Sequence, residues 1–74
     1  MKERIIEIIS KALEMPITEN TSQEQCDKWD SLRHLNLIVA FEEEFGVSFE
    51  PEEITQMKSI NMIEQIIKSK NIPN

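Results

Sequence analysis

The chain has 74 residues, enough for one domain with a small core, because a fold of about this size buries only about 60% of the surface its unfolded form exposes. Its apolar fraction of 39% and charged fraction of 30% are those of an ordinary globular domain rather than a disordered chain. Fourteen acidic residues against eight basic ones give a net charge of −6, which argues against nucleic-acid binding or an anionic membrane face and points to basic partners, while the single cysteine, Cys26, excludes an internal disulfide or a cysteine-rich zinc site.

Met1-Lys2-Glu3-Arg4 leads into an apolar stretch broken by Glu7 and Lys11, which is neither a signal-peptide core nor a membrane span, so a cytoplasmic location is expected. From Glu3 to Glu14, Ile5, Ile6, Ile8, Ile9, Ala12 and Leu13 recur at helical spacings and predict a first amphipathic helix, which Pro16 stops. Thr18 to Asp27 is polar and aperiodic, and reads as a long surface loop in which Cys26 is a small loop residue.

Asp30 is a candidate N-cap for a second helix. Its apolar stripe is Leu32, Leu35, Leu37, Ile38, Phe41 and Phe45, and Gly46 ends it. After Val47-Ser48-Phe49, Glu50-Pro51 begins a short helix to about Met57, with Glu52 and Glu53 in its first turn, where carboxylates suit the helix dipole. Ser59 caps a last helix whose stripe is Ile60, Ile63 and Ile67, widened by Met62 and Ile66 and ended by Asn71 and Pro73. The sum is an all-α domain: three longer helices, a short third helix and a long first loop.

Asp30-Ser31-Leu32 places a hydroxyl at a helix start, where free backbone N–H groups favour an attached anion. Alone, the triplet is a common capped helix start. His34, three residues on, raises a serine–histidine nucleophilic pair, but there is no Gly-x-Ser-x-Gly elbow and no evident oxyanion loop. The simpler reading leaves Arg33 and His34 as solvated first-turn residues. An EF-hand counted from Asp27 fails, because Leu32 and Ile38 stand where it needs glycine and glutamate.

Asp30-Ser31-Leu32, the Glu42-Glu43-Glu44-Phe45 run, the Phe-Gly turn, the Pro-Glu-Glu third helix and the Ser-capped fourth resemble, without a gap from Asp30 to Ile67, the acyl carrier protein family. That resemblance implies a four-helix acyl-carrier-like bundle over residues 1–74, a single carrier domain with no catalytic activity of its own. It implies a covalent 4′-phosphopantetheine on Ser31, flanked by Leu32, with Asp30 assisting attachment by a phosphopantetheinyl transferase. It further implies acyl-loading and acyl-transferring enzymes with basic docking patches as partners of a monomer.

From Glu42 to Glu53 there are six glutamates and no base, so Glu42, Glu43, Glu52 and Glu53 are candidate docking residues, or only a solubilising face. Leu35, Ile38, Ile54, Met57, Ile60 and Ile63, with Leu32, are candidate lining for an acyl chain. Met57 and Met62 fit core filling. Lys28 and Trp29 stand where many carriers have glycine or alanine, and Gln23 to Asp27 lacks the usual apolar anchor, for which Trp29 can substitute by folding onto the helices. The Trp-Asp-Ser-Leu stretch is more similar to carriers of surface-polysaccharide and specialised acylation pathways than to the fatty-acid synthase carrier. The rivals are an aminoacyl, D-alanyl-type carrier and a helical interaction module that never receives the arm.

Overall fold

Ile5, Ile9 and Leu13 recur every fourth residue, and in a helix that spacing lines them up on one face. In the computed structural model, which describes residues 1–70, all three are buried along α1, Lys2–Leu13. Burying such a side chain contributes about 1.5–3 kcal/mol. Glu14 closes the helix in the left-handed region at φ 56°, at a cost of about 1–2 kcal/mol for a residue with a Cβ.

The segment from Thr18 to Asp27 is not the plain surface loop expected. Thr18 and Thr21 tie its start into a tight turn: the Thr21 amide donates to the Thr18 carbonyl at 3.0 Å, and the Thr18 amide donates to Thr21 Oγ1 at 3.1 Å. A single 3-10 turn, Gln23–Gln25, follows, and the Gln23 amide donates to the Lys58 carbonyl at 2.8 Å, stitching the segment to the far end of the chain. Ile17, Cys26 and Trp29 are all buried. Cys26 therefore belongs to the core, its sulfur against that of Met15, and together with Trp29 it supplies the apolar anchor that the sequence appeared to lack.

The second helix, α2, is Ser31–Phe45 and has the expected ends. The Asp30 side chain accepts from the Arg33 amide at 2.9 Å, and Gly46 takes the left-handed C-cap at φ 66°, where a Cβ would be strained. The inward face is His34, Leu37, Ile38 and Phe41, a run at helical spacing in which the histidine is one turn ahead of the leucine. Leu32 and Leu35 instead point outward, at 69% and 54% exposure. At about 100° per residue they lie too far round the helix to join that face, so the true stripe is narrower than the apolar residues alone indicate.

The third helix, α3, is Pro51–Gln56, begun by a reciprocal capping box between Glu50 and Glu53. Met57, fully buried, ends it. The fourth, α4, is Ile60–Lys70, and the Met62 amide donates to Ser59 Oγ at 3.3 Å. Ile60, Ile63, Ile66 and Ile67 are buried, whereas Met62 is exposed rather than core-filling. The stop expected at Asn71 and Pro73 lies outside the described residues. α1 packs on both α2 and α4, and α3 rests on α4, so among the described residues the fold is all-α with four α-helices.

Charge fastens two helix contacts. The Arg4 guanidinium forks onto Glu44 with both bonds at 2.8 Å and reaches Glu7 at 2.7 Å, and these bonds hold both carboxyls below the ordinary glutamate value. The Glu50 amide, followed by the Lys70 ammonium at 2.8 Å, does the same for Glu53. A carboxyl with a depressed folded value contributes stability that is complete above its unfolded value near 4.5 and lost as pH falls through the lower folded one. Melting temperature is expected to drop below about pH 4.5 and to drop less steeply in Arg4→Met, with the difference shrinking in about 0.5 M salt. An Arg4→Met acid profile identical to wild type would remove the Arg4 fork from this account.

Candidate functional site

Ser31 is exposed in the first turn of α2, and the residues before it are held unusually firmly. The Trp29 amide donates to the Cys26 carbonyl at 3.0 Å, and the Trp29 carbonyl accepts from Gln23 Nε2 at 3.2 Å. The Trp29 ring is 2% exposed and its Nε1–H donates to His34 Nδ1 at 2.9 Å. The hydroxyl therefore projects into solvent from a fixed mount. A modifying enzyme can reach it without unfolding the segment.

His34 is not the solvated residue expected. It is 8% exposed, and its Nε2 lies 2.8 Å from the carbonyl of Ile54 in α3. The roles follow from the partners: an indole N–H only donates, so Nδ1 accepts, and Nε2 carries the proton and donates to the carbonyl. Both ring nitrogens are thus committed away from Ser31. The serine–histidine nucleophilic pair therefore has no base.

Asp30 divides its two oxygens. Oδ1 caps the helix through the Arg33 amide, and Oδ2 meets Arg33 Nη1 at 3.4 Å. That pair is about half exposed on both sides, so it orients more than it stabilises. The amides of Ser31 and Leu32 have no acceptor among the described residues. Two free N–H groups beside the hydroxyl suit a phosphodiester joined to it.

The acidic run is less free than its sequence implies. Glu42 Oε2 accepts from the Phe49 amide at 3.0 Å and so braces the turn after α2. Glu53 is shared between the Glu50 amide and Lys70, and Glu44 is held by Arg4. Glu43 and Glu52 are exposed and unpaired among the described residues. Of the lining candidates, Ile38, Met57, Ile60 and Ile63 are buried and Ile54 is partly buried against them, but Leu35 and Leu32 lie on the outer face of α2 with Val39. No preformed cavity opens among the described residues.

The family model described as a phosphopantetheine attachment site matches residues 3–67. No curated protein sequence matches the chain significantly.

The two duties of Asp30 can be separated. Asp30→Ala is expected to lose about 1 kcal/mol of stability with the cap, a fall of several degrees in melting temperature, whereas Asp30→Asn keeps an acceptor and stays within a few tenths of a kcal/mol of wild type. Equal losses in the two variants, read by urea unfolding, would contradict the capping role.

Proposed function

Because the chain belongs to the phosphopantetheine attachment-site family, whose members carry 4′-phosphopantetheine covalently, we propose that it is an acyl carrier protein with that group on Ser31. The group supplies a thiol at the end of a flexible arm, on which acyl intermediates ride as thioesters. Ser31 Oγ forms the new oxygen–phosphorus bond with coenzyme A as the phosphoanhydride bond breaks and the nucleotide leaves. The hydroxyl proton goes to a base of the phosphopantetheinyl transferase, since both His34 nitrogens are bonded elsewhere. Asp30 keeps the helix capped through Oδ1 and, by giving up its exposed pairing with Arg33, offers Oδ2 to a metal or basic residue of that enzyme. Ser31 and Leu32 offer their amides to the phosphodiester.

The observation that carries this reading is the exposed Ser31 hydroxyl on a rigid, capped helix start with free amides beside it. Partners approach the outer face of α2. Leu32, Leu35 and Val39 give them an apolar strip next to the arm, and Glu43 with Glu52 gives them unpaired negative charge. Such contacts associate quickly and release readily, which suits a carrier that visits several enzymes. The chain acts in the cytoplasm as a monomer and performs no catalysis itself, its acyl-transfer chemistry being done by the partner enzymes.

Incubation with a broad-specificity phosphopantetheinyl transferase and coenzyme A is expected to raise the intact mass by one arm in wild type and not at all in Ser31→Ala. No gain in wild type would replace the carrier reading with that of a helical interaction module. For docking, the variant joining Glu43→Lys and Glu52→Lys is expected to lower the loading enzyme's kcat/KM by about tenfold at low salt, with an unchanged melting temperature. Unaltered kinetics would leave these two charges a solubilising role only.

A further inference from the structure

The arm on Ser31 stands beside an apolar interior, but the way into it is fastened. Ile38, Met57 and Ile63 are buried, so a chain on the arm reaches them only if the helices part. α3 has six residues, too few to persist alone, so its place depends on what holds it. Met57 is buried beneath it and Lys70 pairs with Glu53 at its start. On the side facing α2, His34 Nε2–H meets the Ile54 carbonyl at 2.8 Å, a carbonyl that also accepts from the Met57 amide at 3.3 Å where α3 ends.

We infer that the Trp29–His34–Ile54 relay is a latch that keeps α3 closed on α2, so that this carrier favours short or polar cargo held on the arm in water over an aliphatic chain drawn into the bundle. The inference rests on the reading of Ser31 as the arm-bearing residue. Three features argue for it. The relay is directional: indole N–H to Nδ1, then Nε2–H to carbonyl, so only one tautomer of His34 closes it and each bond polarises the next. Its two rings are buried, so displacing α3 leaves the imidazole N–H without its acceptor in an apolar setting, while the Ile54 carbonyl keeps only the Met57 amide. An aliphatic chain offers the imidazole N–H no acceptor in place of that carbonyl, and thus opposes its own entry. Lastly, the relay starts two residues before Ser31, so the mount of the arm and the closing helix belong to one bonded unit.

Two measurements test the latch. In the unmodified chain, His34→Leu is expected to speed amide hydrogen exchange at Ile54 and Met57 by at least about tenfold while Ile9 and Ile63 change by less than about twofold. His34→Gln, which can accept from the indole and donate to the carbonyl, should restore slow exchange. With the arm attached, an octanoyl group should move the wild-type melting temperature by less than about 1 °C relative to the bare arm, and raise that of His34→Leu by about 3 °C or more. If His34→Leu does not fold, Trp29→Phe keeps an aromatic ring in the core while removing the indole N–H along with part of the ring volume, and is expected to shift both readouts in the same direction. Unchanged α3 exchange, or equal octanoyl stabilisation with and without the relay, overturns the inference. A chain that accepts no arm refutes the carrier reading, and with it the cargo preference, while the exchange comparison still decides the latch.

Discussion

Two residues before the exposed Ser31 hydroxyl, an indole ring leaves water, and its N–H group must find a partner inside. A buried tryptophan without one would forfeit a hydrogen bond in a low-dielectric setting, so the ring's position and its acceptor have to be specified together. The acceptor is His34, and satisfying the indole on one nitrogen obliges the other nitrogen to donate. The Ile54 carbonyl receives that bond. The placement of one aromatic ring thereby sets the start of α2, the tautomer of a histidine and the seat of α3.

The same economy governs the acids. A net charge of −6 reads as a uniformly negative surface, but several of the glutamates after Phe41 have internal work. Glu42 closes a turn, Glu44 clamps α1 to α2, and Glu53 begins α3 while holding α4 through Lys70. Charges spent on the fold's own bonds steer partners weakly, because their field is largely cancelled nearby. The negative surface that faces outward is narrower than the composition implies, and it adjoins an apolar strip.

The elements that were legible in the sequence are those whose bonds close within a few residues. Asp30 caps Arg33, Gly46 ends its own helix, Glu50 and Glu53 complete each other, and Ser59 serves Met62. Local chemistry of that kind survives any tertiary arrangement. His34 was misread because its partners are 5 and 20 positions away and neither forms a local pattern with it. A signal was nonetheless present: His34 occupies the first place of the inward series that continues through Leu37, Ile38 and Phe41. Leu32 and Leu35 were misplaced by counting apolar residues without asking at what angle around the helix each falls. Cys26 and Ile17 were missed because burial in a loop has no period to detect.

The chain has one tryptophan and no tyrosine, so its near-ultraviolet absorbance and intrinsic emission come almost wholly from Trp29. That fluorophore is buried, bonded to an imidazole and two positions from the Ser31 hydroxyl. Its colour and lifetime depend on how dry the ring is and on whether the imidazole remains in contact. The molecule thus contains an optical reporter of the start of α2, and a change at the Ser31 hydroxyl or in the seat of α3 becomes visible in unlabelled protein without any change to its sequence.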